Sequence, residues 1–307
     1  MVSSSTEPDT SRRGLPPTAP VWAGTVLISF SAVWVRLADV EALRSSFLRV
    51  AYALPVFAVL ILVRRIRRPF VPLAALAGAF LGLDLMAWHV SIGIIGAGLA
   101  TVLPNLQVVV VGLIGVVWLH ERPRPLFWWA LPVVLVGVWL MAAVGKPVVT
   151  GGSVPLGFGF GLATAVTYSV YLVVVRQARV HRPHVDVVAV MASATLGATV
   201  VIGIGAAMQG VAGPAREWPA DGWLILLALG SQVVGWLLLT TSIHRLPAAL
   251  TSVALLLQPV LAMVWGALLL NEPVGPPQVA GAALVLIGVV AAQRASSAPR
   301  TGEITGT

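Results

Sequence analysis

Arg49, Asp84, His89, Asn105, Gln107, Gln232, Trp236 and Gln258 each sit within or at the edge of a long run of aliphatic residues. A polar or ionisable group in such surroundings has to be hydrogen-bonded, paired or functional, because burying it alone is costly. Asp84 is the only acid well inside an apolar run. Three readings are open for it. It accepts a proton or contacts a substrate amine, with Arg49 setting its pKa; it forms a static ion pair that makes both charges tolerable; or it faces water from one side. His89 follows it in the same run. The amides of Gln107, Gln258 and Asn105 offer donors and an acceptor oxygen, which suits a neutral or zwitterionic polar substrate. The alternative is that the glutamines tie neighbouring helices together. Pro104 and Pro259 stand beside them, and each removes a helix donor and frees carbonyls that can line a cavity. Gln232 has Trp236 one helical turn beyond it, either as packing or as an apolar cavity wall.

Enzyme chemistry finds no complete motif. His120-Glu121-Arg122-Pro123-Arg124 begins like a zinc-protease helix, but the second histidine position is arginine. Ser242 and His244 lack the Gly-x-Ser-x-Gly elbow of a serine hydrolase. Gly93, Gly96 and Gly98 are not preceded by a strand, so they read as a bend in a short turn and not as a nucleotide loop. There is no phosphate-binding Walker loop, and with no cysteine, thiolate catalysis and Cys-ligated metals are excluded. The chain is expected to be no enzyme and to need no cofactor and no metal.

The elements that position these residues follow from composition. Of 307 residues, 58% are hydrophobic and 10% charged, well under the roughly 25% charge of a soluble domain. The solvent of most of this chain must be lipid. A span needs about 20 apolar residues, and ten runs qualify: 20–38, 45–63, 71–91, 97–119, 126–143, 153–175, 185–208, 222–243, 247–270 and 276–293. Unsatisfied backbone is forbidden in lipid, so all are expected to be helices. Residues 1–19 and 294–307 read as polar tails.

Arginine placement sets direction. Arg12 and Arg13 precede the first run; clusters at Arg64 to Arg68, Arg122 and Arg124, Arg176 to Arg182, Arg245, and Arg294 and Arg300 follow runs two, four, six, eight and ten. These belong on the cytoplasmic side, with both termini inside. The net charge of +8 is thus a topology signal and not a nucleic-acid footprint. Trp22, Trp118, Trp128, Trp129, Trp139, Trp218 and Trp223 fall near span ends as an interfacial belt, whereas Trp236 is too deep for it.

The stretch from Ser91 to Leu140 reappears without a gap from Ser242 to Ala291. Leu106-Gln107 matches Leu257-Gln258, Gly115 matches Gly266, and Glu121 matches Glu272. Five spans separate the copies, so they enter from opposite faces and the repeat is inverted. Gln107 and Gln258 then both reach about 15 Å of depth, near the midplane, at the helical rise. Asp84 aligns with Gly235, so the repeated scaffold does not demand an acid there. Arg49 and Asp84 lie at comparable depths, about 6 and 10 Å from the outer face, and would pair if spans two and three packed suitably. The units expected are 20–146 and 147–293, one repeat each.

Three segments resemble a known family: Arg49-Val-Ala-Tyr-Ala-Leu-Pro, Gly98-Leu-Ala-Thr-Val-Leu-Pro-Asn-Leu-Gln running to Leu119-His-Glu-Arg-Pro, and Leu257-Gln-Pro-Val running to Asn271-Glu-Pro. They are similar to the EamA branch of the drug/metabolite transporter superfamily, from about Val21 to Gln293. The resemblance implies an all-α polytopic membrane protein of ten helices, in two inverted five-helix repeats around a central cavity. It also implies export of amino acids, other metabolites or drugs, with the substrate unspecified. No arginine in span seven mirrors Arg49. The expectation is a secondary transporter in the plasma membrane whose partners are a small-molecule substrate, lipids and, where Asp84 titrates, protons, with no nucleic acid. The alternatives are a flippase for an amphipathic or lipid-linked substrate and a non-transporting membrane scaffold.

Overall fold

The computed structural model describes residues 18–121, 123, 125–142, 153–214, 217–271 and 274–297. The terminal tails up to residue 17 and from 298, the repeat boundary at 146/147, Lys146, Arg216, Glu272 and the arginine positions 122 and 124 lie outside them. Among the described residues every regular element is helical. Seven helices are long and apolar enough to cross a membrane: Ala19–Ala38, Leu43–Val63, Pro72–Ser91, Pro155–His181, Val187–Met208, Ala220–Ile243 and Val253–Leu270. Three shorter apolar helices accompany them, Leu103–Val117, Pro125–Met141 and Pro276–Ala291.

Local chemistry explains where these helices bend. The first divides into α1 (Ala19–Ser29) and α2 (Ser31–Ala38). There Ser29 and Ser31 turn their hydroxyls back onto the carbonyls of Val26 and Ile28, both at 2.6 Å, which loosens the ladder. The second divides at Tyr52 into α3 (Ala42–Ala51) and α4 (Ala53–Val63), one turn ahead of Pro55, whose ring displaces the carbonyl four residues back. The third, α5, runs from Pro72 to Val102. This corrects the sequence expectation of a turn at Gly93, Gly96 and Gly98. Glycine weakens a helix by only about 1 kcal/mol per residue, less than exposing unpaired backbone to lipid would cost.

After α5 comes a 3-10 turn, Leu103–Leu106, around Pro104, and then α6 (Gln107–Val117). The aligned stretch of the second copy breaks at the same place: α12 (Ala248–Leu255) stops at Leu256 and α13 (Leu257–Leu270) follows, with Pro259 denying a donor to the Leu255 carbonyl. The remaining elements are α7 (Pro125–Ala142), α8 (Val154–His181), α9 (Val187–Met208), α10 (Ala220–Leu226), α11 (Trp236–Ile243) and α14 (Pro276–Ser297). Helix α14 continues beyond Gln293, into the expected tail. Between α10 and α11 the chain is π-helical from Leu227 to Gly235.

Helix α5 packs on α8 and α9; α7 on α14; α3 and α4 on α9; α6 on α8 and α12; and α1 on α11, α12, α13 and the π-helical stretch. Burying aliphatic side chains against lipid-like neighbours gains little, so close approach has to supply the attraction. Small residues provide it. A Cβ on Gly78 would overlap the Ala194 carbonyl, and one on Gly197 would overlap that of Ala75, so α5 and α9 cross backbone to backbone. A Cβ on Gly137 would lie 2.6 Å from the Gly281 carbonyl, where α7 meets α14. The outer surface is aliphatic, with Leu62 74% and Met208 83% exposed. Trp118, Trp129 and Trp218 are exposed near helix ends, as an interfacial belt requires.

Gly78→Leu and Gly137→Leu are expected to lower stability by about 1–3 kcal/mol through overpacking. This would appear as a reduced thermal midpoint in detergent. Gly159→Ala, where a Cβ would meet nothing within 4 Å, should leave the midpoint unchanged or slightly raised. Equal effects at all three positions would show that these crossings do not hold the bundle together.

Candidate functional site

The π-helical stretch places the neighbours Ser231 and Gln232 against Arg49 of α3. Arg49 Nε donates to Gln232 Oε1 at 3.2 Å and Nη2 to Ser231 Oγ at 3.0 Å. Gln232 Nε2 donates in turn to Thr195 Oγ1 of α9 at 3.2 Å. The hydroxyls of Ser231 and Ser31 of α2 lie 2.8 Å apart, within hydrogen-bond distance. A guanidinium inside a membrane-spanning bundle is thus held by neutral oxygens from one helix, each braced by a hydroxyl from another. The i→i+5 backbone explains how consecutive residues serve one cation, and such stretches recur at functional sites. Gly230 permits the geometry, because a Cβ there would run into the Trp34 ring.

Asp84 of α5 lies within electrostatic reach of Arg49. The pairing considered from their depths is not made: among the described residues Asp84 has no ion pair or hydrogen bond, and its Oδ1 is buried and unpartnered. Depth fixes how far along a helix a residue sits, not which way it faces, and Arg49 is turned to the π-helical stretch. Around Asp84 stand Tyr168 and Tyr171 of α8, both within its electrostatic reach. Tyr171 and Trp236 meet edge to face at 5.0 Å between ring centroids, and Tyr168 stacks on Tyr171 at 6.1 Å. Tyr171 OH and Trp236 Nε1 are also buried without a partner. His89 lies 3.3 Å from the Ser46 hydroxyl of α3.

The structure therefore gathers Arg49, Asp84, His89, Gln232 and Trp236 into one zone. Asn105, Gln107 and Gln258 sit apart from it, at the two aligned helix breaks. Their neighbours Val108, Leu256 and Val260 share one packed cluster, so the broken helices meet. The Gln107 carbonyl accepts from Ser169 Oγ of α8 at 3.3 Å. Among the described residues no hydrogen bond joins Gln107 to Gln258 or either to Arg49. Sequence reasoning missed Ser31, Thr195, Ser231, Tyr168 and Tyr171. The adjacency of Ser231 to Gln232, and two aromatics three residues apart in one span, are the signals that were there.

The arginine-rich end carries a second charged contact. Arg176 Nη2 meets Glu121 Oε1 at 2.8 Å, both side chains 15% exposed, and Arg176 Nε donates to the Leu246 carbonyl at 3.1 Å. The ends of α6, α8 and α11 are thereby joined. Arg64 and Asp186 make a more exposed pair at 3.3 Å. His244, just past α11, has its pKa lowered, first by burial and then by Arg179, Arg245 and Arg176.

Apolar helices of membrane-spanning length, closely packed around buried polar and charged side chains, define the class as multi-pass integral membrane proteins. Residues 155–292 match the model of the EamA-like transporter family, a branch of the drug/metabolite transporter superfamily. A solved structure described as "Crystal structure of protein" is similar over 91% of this chain and 97% of its own, with a TM-score of 0.77 at 17% identity, a likeness of fold alone. No curated protein matches the chain.

Gln232→Leu removes the acceptor of Arg49 Nε and is expected to cost about 1.5–3 kcal/mol, the range for a hydrogen bond to a charged group, measured as a fall in thermal midpoint. A fall no greater than that of an exposed Leu62→Ala control would sink this account. His244 has a pKa below its unfolded value of 6.5. The unfolded chain therefore binds more protons in the window below 6.5, and stability falls as pH drops through it. His244→Gln should flatten that slope between pH 7.5 and pH 5.5 in a thermal scan.

Proposed function

We propose that this chain is a secondary transporter that spans the membrane ten times, as two inverted five-helix repeats, and moves a small metabolite, amino acid or drug-like compound by alternating access. The observation that carries the reading is the group of buried polar and charged side chains drawn from membrane-spanning helices: Arg49, Asp84, Thr195, Ser231 and Gln232. Ionisable groups at such places serve transport or proton relay by default. The seven long and three short apolar helices add to ten.

The packing pairs support the repeat, because adding five to each span number converts them into one another. Span three on six (α5 on α8) becomes span eight on one (α11 and the π-helical stretch on α1). Span four on six (α6 on α8) becomes span nine on one (α12 and α13 on α1). Two with seven, four with nine and five with ten map onto themselves. The shared break before Gln107 and Gln258 is where an inverted-repeat transporter places its substrate site. The arginine distribution favours a plasma-membrane protein with both termini in the cytoplasm, and the family resemblance favours export. Asp84 is the candidate for proton coupling.

Purified protein in liposomes, tested with amino acids and cationic drugs with and without a pH gradient, is expected to carry at least one compound. Asp84→Asn should abolish the response to the gradient while leaving membrane insertion intact. Unchanged coupling in that variant would remove the proton role. Flux of no compound would favour a scaffold, and selective movement of amphipathic lipids a flippase.

A further inference from the structure

The arginine-rich end of the bundle holds more positive charge than its acids answer. Arg176 and Arg179 lie one turn apart on α8, so their side chains leave the same face. Arg176 Nε donates to the Leu246 carbonyl at 3.1 Å, and this bond pins the turn His244-Arg245-Leu246, just past α11, against that face. Arg176, Arg179, His244 and Arg245 thereby converge where two helices end, and all three arginines act electrostatically on His244. The carboxylates at this end are committed elsewhere. Glu121 holds Arg176 at 2.8 Å. Asp186 accepts from Val188 N at 2.8 Å as the cap of α9 and pairs with Arg64 at 3.3 Å. Among the described residues neither Arg179 nor Arg245 has an ion pair. Arg179 is only 7% exposed. Its Nη1 donates to the Val185 carbonyl, while its Nε is buried with no partner, as is His244 Nδ1. The negative end of the α8 dipole favours cations here, yet it leaves both of these atoms unbonded. A buried guanidinium held by one neutral acceptor is costly, and orphaned buried polar atoms call for a ligand or a bound water.

We propose that Arg179, Arg245 and His244 bind the phosphate of an anionic phospholipid headgroup. Guanidinium forks fit phosphate oxygens two at a time, and His244 adds a ring N–H. Arg245 is exposed and Arg179 buried, so the anion is met from outside by one and held on the inner side by the other. The level of the site selects a lipid as the source. The apolar spans that carry these residues end here, at His181 and at Ile243. Trp118, 76% exposed, stands at the adjoining end of α6, a few residues before the Glu121 that meets Arg176. An exposed tryptophan at a span end marks the headgroup level, and basic pockets between membrane helices at that level take phosphate-bearing headgroups. Val180, 44% exposed beside Arg179, offers aliphatic surface to the start of an acyl chain. Arg179 lies eight residues beyond Tyr171 on α8, about 12 Å at the helical rise, so this site is separate from the Arg49 and Asp84 zone. The inference goes beyond the transporter reading and rests only on the chain lying in a membrane.

The test uses the full-length purified protein in nanodiscs of phosphatidylcholine, with or without phosphatidylglycerol. Bound lipid is read by native mass spectrometry and stability by the thermal midpoint. The unmutated protein is expected to retain phosphatidylglycerol in preference to phosphatidylcholine, and to melt higher in the mixed discs. Arg179→Gln should weaken that retention by about tenfold or more, the worth of a charge-assisted contact. Arg245→Gln should weaken it about fivefold. Arg67→Gln removes one exposed charge from the arginine cluster after α4 and should change it by less than about twofold. No preference for phosphatidylglycerol in the unmutated protein overturns the proposal. So does a loss in Arg67→Gln as large as that in Arg245→Gln, which would mean that the whole basic face attracts anionic lipid without a built site. Inorganic phosphate that raises the midpoint in phosphatidylcholine discs as far as phosphatidylglycerol does, and no longer does so in Arg245→Gln, would overturn the lipid in favour of a soluble phosphate. Arg245 is exposed, so its variant and the lipid comparison on the unmutated protein decide the question even if Arg179→Gln does not fold. None of these readouts uses flux, so their failure leaves the transporter reading standing, and an absence of flux leaves this site standing.

Discussion

The constraint on which the rest of this structure depends is the cost of holding the Arg49 guanidinium inside a bundle whose solvent is lipid. An uncompensated charge in such a medium is costly enough that the surrounding helices must be arranged for it. Four of them are. The π-helical stretch before α11 turns Ser231 and Gln232 inward together, α9 supplies Thr195, and α2 supplies Ser31. None of these partners is an acid. A carboxylate would have quenched the charge, whereas neutral oxygens fix its direction and leave it available. The same economy explains why Asp84 is spared a partner, because an internal ion pair would have made both groups inert.

Backbone chemistry works to the same end. Proline and serine placements bend α1–α2, α3–α4, α5–α6 and α12–α13, and each bend exposes carbonyls that an unbroken helix would keep to itself. These bends are tolerable because glycine and alanine bring the flanking helices into backbone contact, as at Gly78 with Ala194 and Gly137 with Gly281. Close packing of small residues thus stabilises a bundle whose polar interior and broken helices would otherwise weaken it.

How much of this was legible in the sequence depended on rarity. Arg49, Asp84, His89, Gln232 and Trp236 stand out because such residues are scarce in apolar runs, and the structure brings them into one zone. Ser31, Thr195 and Ser231 were hidden because hydroxyls inside membrane helices ordinarily bond back to their own backbone, as Thr25 and Ser169 do here. Tyr168 and Tyr171 were hidden because aromatics in a span are ordinarily packing. The π-helical register of Leu227 to Gly235 has no signature of its own, because the same residues would fit an ordinary α-helix in lipid. The turn expected at Gly93 to Gly98 failed for the converse reason: glycine is a strong breaker in water and a weak one where the backbone has nothing else to bond.

The two ends of the bundle are closed by different chemistry, and this bears on how such a molecule could move. At the arginine-rich end Glu121 and Arg176 form a close pair, reinforced by the Leu246 carbonyl. At the start of α10, near the other end of the eighth span, a neutral donor, Tyr52 OH, meets Asp221 at 2.7 Å. A charge pair that is 15% exposed on each side costs more to separate than a phenol–carboxylate bond that water can replace. The Glu121–Arg176 pair is thus the costlier of the two contacts to open.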